Sequence, residues 1–261
     1  MSIISVRDLV SGYNRVPVIG PLSFDIDEGG ITTMIGPNGI GKTTVFKSIL
    51  GLLKPLSGDI EISGKPLASY SPKDFARTIA YVPQNHVPPF PFSVRDVVVM
   101  GRNPHLNELT SPKKADYEIA EEQLATMGIT ELADRDDTEL SGGERQLVLV
   151  ARALAQRAPM LLMDESTAHL DYGNELLVLQ QITKLKELGY TIVMITHNPM
   201  HALMWSTAVV AMGRDFFVAG EPERVLDGET LTRLYRVGID IADVELATSG
   251  RRVRMCVPAI N

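Results

Sequence analysis

Cysteine is almost missing from this chain: among 261 residues only Cys256 carries a thiol, so no internal disulfide framework can staple the fold. A single thiol fits a reducing compartment. Long apolar runs are missing as well. The apolar stretch around residues 202–212 falls far short of the ~20 apolar residues that a spanning helix needs. Any membrane spans would have to come from another chain. Nor is there an excess of positive charge, since 25 Lys and Arg stand against 32 Asp and Glu for a formal charge of −7. Such a surface repels phosphate backbones and anionic headgroups, and nucleic acid is not expected as a partner. The opening residues, Met1-Ser2-Ile3-Ile4-Ser5-Val6-Arg7-Asp8, lack the basic start and apolar core of a secretory signal, so the expectation is a protein that stays inside the cell.

What is present is an α/β pattern. Apolar strand-like runs fall at residues 3–9, 22–26, 31–35, 59–62, 79–82, 160–163, 191–195 and 208–212, with helical patterns between the later ones. Alternation of strand and helix predicts a parallel sheet, and the early strand cluster predicts an antiparallel layer beside it. Between Gln84 and Ser93 the chain carries Pro88, Pro89 and Pro91, which resist both helix and central strand and mark a linker. Ser111-Pro112 reads as an N-cap followed by proline at the first helical position, opening a helix that Gly128 can close. The expected organisation is one domain: residues 1–84 and 157–225 as core with β layer, 85–156 as a helical insertion, and 226–261 as a weakly patterned extension with no function inferred.

Gly36-Pro37-Asn38-Gly39-Ile40-Gly41-Lys42-Thr43 fits G-x-x-x-x-G-K-[ST], and it sits between the apolar run 31–35 and a helix-like segment at 44–53. Glycines let the backbone wrap closely enough for its N–H groups to face phosphates, and the following helix adds its positive N-terminal end. Lys42 supplies a mobile positive charge, and the Thr43 hydroxyl suits a Mg²⁺ ion that bridges the phosphates. Alone, the motif indicates only a nucleotide.

Met160-Leu161-Leu162-Met163 ends in the carboxylates Asp164 and Glu165, as expected for a buried parallel strand whose C-terminal end opens onto a ligand crevice. Successive side chains of extended backbone point opposite ways, so the two acids can take different roles. Asp164 suits the surroundings of Mg²⁺, and Glu165 can polarise a water for in-line attack. Further back, Leu140-Ser141-Gly142-Gly143-Glu144-Arg145-Gln146 precedes a helical pattern at 147–156. Ser141 and Glu144 make a capping box. Two glycines are more than capping requires, since each costs ~1 kcal/mol against alanine in a helix. Exposed N–H groups at a helix start form an anion site, so a second phosphate contact is expected here.

Taken together these residues resemble the ABC ATPase family: 36–43 is similar to Walker A, 160–164 to Walker B and 140–146 to the LSGGQ signature. The resemblance implies a P-loop NTPase (RecA-like) core with an antiparallel β subdomain and an inserted helical subdomain. It implies ATP and Mg²⁺ as cofactors, with Gly36 through Thr43 and Thr44 around the phosphates. It also implies a head-to-tail homodimer in which Ser141, Gly142 and Gly143 of one copy reach the γ-phosphate held by the other. Under the same resemblance Tyr13 stacks on adenine, Gln84 meets Mg²⁺ and senses a permease, His197 contacts the γ-phosphate as a switch histidine, and Asp171 acts across the dimer. Glu165, His197 and Lys42 are then the catalytic residues, and Thr43, Gln84 and Asp164 the metal-facing ones.

Residues 94–105 and 167–174 resemble the importer branch that serves iron–siderophore, haem, vitamin B12 and molybdate permeases. That implies integral membrane permease subunits, an external solute-binding protein, and a place at the cytoplasmic face of the membrane. Three residues depart from the family pattern: Ser166 in place of proline, Asn198 in place of aspartate, and Glu144 in place of glutamine. A soluble ABC ATPase of an assembly pathway, such as iron–sulfur cluster biogenesis, would carry the same motor on a scaffold. A nucleotide-dependent dimerisation switch is the third reading, against which Glu165 and His197 argue.

Overall fold

The computed structural model describes residues 1–84, 90–107, 110–165, 167 and 170–259. In chain order its elements are β1 (Ser2–Tyr13), β2 (Val16–Asp27), β3 (Ile31–Ile35), α1 (Lys42–Ile49), β4 (Ser57–Ile62), β5 (Lys65–Pro66), α2 (Pro72–Thr78), β6 (Ile79–Val82) and α3 (Val94–Val99). They continue with α4 (Lys114–Met127), α5 (Gly142–Ala155), β7 (Met160–Met163), α6 (Tyr172–Glu187), β8 (Thr191–Thr196), α7 (Pro199–Trp205) and β9 (Ala208–Met212). The last are β10 (Phe217–Gly220), α8 (Pro222–Val225), α9 (Gly228–Tyr235), β11 (Ile239–Glu245) and β12 (Arg252–Pro258). Contacts divide the chain into two compact units, residues 1–69 with 193–261, and residues 70–192. Among the described residues no helix is long and apolar enough to cross a membrane.

In the first unit β1 pairs antiparallel with β2 on one edge and with β4 on the other, and β4 pairs with β5. Ile4, Val6, Phe24, Ile26, Ile60 and Ile62 are buried on this layer, the period-two face expected of strands half covered by a core. β3 pairs parallel with β9, which pairs antiparallel with β10. All five residues of β3 are buried, Thr32 and Thr33 included, which explains why the run shows no alternation of apolar and polar residues.

The stretch after residue 226 is more ordered than its pattern predicts. It forms the short helix α9 and the antiparallel hairpin β11–β12. Leu226, Leu231 and Leu234 join Ile35, Ala202, Val209 and Ala211 in one core cluster, with Tyr235, Ile239, Ile241 and Cys256 packed against it. The helix is only eight residues long and the strands hold no fully buried residue, so each offers too short or too weak a pattern to read.

In the second unit β6 and β7 pair in parallel, and α3, α4 and α5 pack on one another, with Val94, Val97, Val98, Ala120, Leu124, Val148 and Ala151 buried. One helix start differs from expectation. α4 begins at Lys114 and not at Pro112, because Asp116 accepts the Lys113 N–H at 2.9 Å and pairs with Arg102 at 3.1 Å. That nearly buried ion pair outweighs the local Ser-Pro signal, while Gly128, at φ 71°, closes the helix as expected. α5 begins at Gly142, directly after the Ser141 N-cap that the sequence marks. In the first unit α1 stops at Ile49, short of residue 53, where Gly51 at φ 68° turns the chain.

Candidate functional site

The phosphate-loop candidate belongs to the first unit. Buried β3 delivers the chain to Gly36, where any Cβ would lie 2.3 Å from the Met212 carbonyl oxygen at the end of β9. Gly39 and Gly41 take φ of 78° and 109°, the left-handed region that leaves the loop open and directs the following residues into α1. Asn38 and Gly39 are exposed, and Lys42 opens the helix while only 4 % exposed. Its Nζ donates to the carbonyls of Gly36 at 2.8 Å and Pro37 at 3.2 Å, so the lysine folds back along the loop that precedes it. A cation held there, with the N-terminal end of α1, gives an electropositive cradle suited to a polyphosphate. Thr43 follows Lys42 and is half-buried, whereas Thr44 is buried with its carbonyl accepting from Ser48.

Two other predicted residues share this unit. Tyr13 ends β1 with its ring 43 % exposed and the Lys47 ammonium 5.9 Å from the ring centre. His197 follows β8 and is exposed. Its neighbours are tied into a closed network. Asn198 Oδ1 accepts the Met200 N–H at 3.0 Å and caps α7, Asn198 Nδ2 lies 3.1 Å from His201 Nε2, and His201 Nδ1 lies 3.2 Å from Thr196 Oγ1. The Asn198 N–H closes the ring on Thr196 Oγ1 at 3.1 Å. Asparagine in place of aspartate thus has a local purpose: its amide can both accept from the helix start and donate to a histidine.

The second unit holds the acidic residues. Asp164 follows β7, is 4 % exposed, and its N–H donates to the Val82 carbonyl at 3.0 Å, which continues the β6–β7 ladder by one bond. Burial, and then the Asp164 carboxylate with its hydrogen bond, pushes the Tyr81 hydroxyl up to about 12. Glu165 lies in the left-handed region at φ 44°, and its Oε2 accepts from Gln84 Nε2 at 3.0 Å. The structure therefore brings Gln84 to Glu165 although 81 positions separate them. Of the linker, residues 85–89 lie outside the described residues, as do Ser166, Ala168 and His169.

The signature segment is a helix start built as its capping box predicts. Ser141 Oγ accepts the Glu144 N–H at 3.3 Å, and Glu144 Oε2 accepts the Ser141 N–H at 2.8 Å. The hydrogen bond with the Ser141 side chain, its backbone N–H and Arg135 hold the Glu144 carboxyl below its usual range, so the family departure keeps a charge at the helix N-terminus. The two glycines separate into different functions. Gly142 is exposed, while Gly143 is buried, and a Cβ there would lie 2.5 Å from Asn174 Cγ and Oδ1. Asn174 in turn donates to Asp171, Nδ2 to Oδ2 at 2.6 Å and N–H to Oδ1 at 3.0 Å, so Asp171 is the N-cap of α6. Those two bonds lower the Asp171 carboxyl.

Sequence reasoning missed Tyr235, whose hydroxyl donates to the His197 carbonyl at 2.9 Å, and Asn174. No motif spacing relates Tyr235 to His197, which lies 38 positions away; Asn174 stood three residues from Asp171, the spacing of an N-cap pair.

Residues 19–168 match the family model described as ABC transporter. A Haemophilus influenzae protein described as an uncharacterized ABC transporter ATP-binding protein is 40 % identical over 240 residues, covering 92 % of this chain and 91 % of that protein. The molybdate import ATP-binding protein MolC of Haemophilus influenzae is 36 % identical over 217 residues, covering 83 % and 81 %. A solved structure described as a metal-chelate type ABC transporter in an inward-facing conformation superposes with a TM-score of 0.88 at 32 % identity, covering 100 % of this chain and 98 % of that one.

Proposed function

We propose, because this chain belongs to the ABC transporter family of ATP-binding subunits, that it powers an importer for a metal chelate or related cargo of the iron–siderophore, haem, cobalamin or molybdate kind. The family couples ATP hydrolysis to transport. The relative named for molybdate import and the neighbour described as metal-chelate type support the choice of cargo class. The observation that carries the reading is the start of α5. A phosphate loop alone serves many nucleotide enzymes, but a second helix that presents an exposed glycine behind a Ser-Glu cap is the added anion-binding end that a sandwiched nucleotide requires.

In this reading ATP draws two copies together head to tail, each phosphate loop facing the other copy's Ser141, Gly142 and Gly143, with Asp171 acting across the dimer. Tyr13 offers its exposed ring to adenine. Gly36 through Gly41, with Lys42, Thr43 and Thr44, hold the phosphates, the backbone N–H groups and the lysine charge offsetting the charge of the triphosphate. Thr43, Asp164 and Gln84 offer hydroxyl, carboxylate and amide oxygens, the hard donors that Mg²⁺ takes. When bound, the ion neutralises phosphate charge. Glu165 orients and polarises the attacking water, and His197 holds the γ-phosphate. The Gln84 contact lets a change near the linker reach Glu165 through one amide. The subunit works at the cytoplasmic face of the membrane against permease subunits, which an external solute-binding protein loads.

Glu165→Gln is the test. The variant should bind ATP with near wild-type affinity, accumulate as a nucleotide-bound dimer on a sizing column, and turn over at least ~100-fold more slowly, since the amide keeps shape but cannot take up a proton. Full retained ATPase activity would remove Glu165 from this role.

A further inference from the structure

Tyr235 is the last residue of α9, and Arg236 behind it turns left-handed at φ 60° while its N–H returns to the Thr232 carbonyl at 2.8 Å. The helix cannot rotate freely, because Leu231 and Leu234 are buried in the cluster that also holds Ile35, Ala202 and Ala211. The Tyr235 ring packs against the same cluster, which aims the hydroxyl at the carbonyl oxygen of His197 with a donor distance of 2.9 Å. Burial, and then Cys256, keeps that phenol protonated well above its ordinary range, so it remains a donor at any physiological pH.

His197 is the junction between β8 and the α7 start, and it is held from both directions. On the chain side, Thr196, Asn198 and His201 form the closed network described above. α7 itself is braced by β12, whose Cys256 N–H donates to Met200 Sδ at 3.4 Å. Between these anchors the one carbonyl of His197 is taken by Tyr235. The same turn of α9, through Arg233, Leu234, Tyr235 and Arg236, also lines a cleft whose other wall is Pro37 to Ile40 of the phosphate loop. One helix end thus abuts both nucleotide-handling loops of its unit.

We propose that Tyr235 is a positioning residue for catalysis, acting through its hydrogen bond to the His197 backbone to set where the imidazole stands. The proposal rests on the reading that His197 meets the γ-phosphate. Losing the bond leaves the loop intact but lets its peptide rotate, so the histidine spends less time in the reactive pose. The cost falls on turnover and not on nucleotide binding.

The experiment is a double-mutant cycle of Tyr235→Phe and His197→Ala in the full chain, read by steady-state ATPase activity, with melting temperature recorded for each variant. Tyr235→Phe keeps the ring and removes only the hydroxyl. It should lower kcat about fivefold, which is about 1 kcal/mol at ~1.36 kcal/mol per decade, leave KM for MgATP unchanged, and leave the melting temperature unmoved. In the His197→Ala background the same substitution should change residual turnover by less than about twofold, because the group it positions is gone. Wild-type kcat in Tyr235→Phe, with His197→Ala inactive, overturns the proposal. An equal loss in both backgrounds does so too, because the phenol would then act independently of His197. If His197→Ala alone keeps full activity, it is the functional reading of the histidine that falls.

Discussion

Replacing the two signature glycines by alanine, one at a time, separates packing from phosphate contact. At Gly143 the new Cβ would lie 2.5 Å from Asn174 Cγ and Oδ1 and 2.8 Å from Asn174 Cβ, too close for any rotamer change to relieve fully. The asparagine side chain would have to leave, and with it the 2.6 Å bond from its Nδ2 to Asp171, the N-cap residue of α6. A contact this short belongs to the upper part of the overpacking range, about 2–3 kcal/mol, offset by about 1 kcal/mol of helix propensity gained when glycine becomes alanine. Gly143→Ala should therefore lose about 1–2 kcal/mol net, read as a lower urea midpoint at unchanged slope. Among the described residues, the only neighbour within reach of a Gly142 Cβ is Leu170 Cδ2 at 3.3 Å, and the position is exposed. Gly142→Ala should be as stable as wild type or up to about 1 kcal/mol more stable. Its methyl group nevertheless stands over the helix start where an anion would approach. ATPase activity should fall at least ~10-fold while ATP affinity of the isolated subunit changes little, because the phosphate loop is untouched. A Gly142→Ala variant with full turnover would refute the second phosphate contact, and a Gly143→Ala variant with an unshifted midpoint would refute the steric argument.

Lys42→Met should weaken ATP binding at least ~10-fold in a fluorescent-nucleotide titration, with the melting temperature of the ligand-free chain nearly unchanged, since the lysine's carbonyl partners Gly36 and Pro37 lie in the same loop. Affinity within twofold of wild type would contradict the cradle. Asp116→Ala should destabilise the chain by about 3 kcal/mol at pH 7, measured by urea unfolding, because Arg102 stays buried beside the Ala155 carbonyl without its carboxylate. The Lys113 N–H, and then Arg102, holds the Asp116 carboxyl below its ordinary value. Its contribution is therefore fully present above pH ~4 and is lost as pH falls through the depressed value, so the difference between variant and wild type should shrink in acid. A difference that is constant from pH 7 to pH 3 would count against this ion pair.

Local chemistry made much of this protein legible. A buried parallel strand carries no charge and no in-out alternation, so β3, β7, β8 and β9 announce themselves as uncharged, mostly apolar runs whose ends are nearly those observed. A loop that wraps phosphate needs glycine at left-handed positions and a lysine at the helix start, and a helix start needs its cap within three residues. These constraints act over a few residues, so the order of letters is enough to state them.

What tertiary structure alone decided are the relations between groups far apart in the chain. Gln84 reaching Glu165, Arg102 fixing the start of α4 through Asp116, Asn174 claiming the space that Gly143 leaves, and Tyr235 holding the His197 carbonyl all depend on how elements pack. Each is a single polar contact or a single missing methyl, too small to impose a periodic pattern. The C-terminal hairpin is the same case at the scale of an element: its strands bury their residues only partly, so its place rests on the core cluster it joins and not on any rhythm of its own residues.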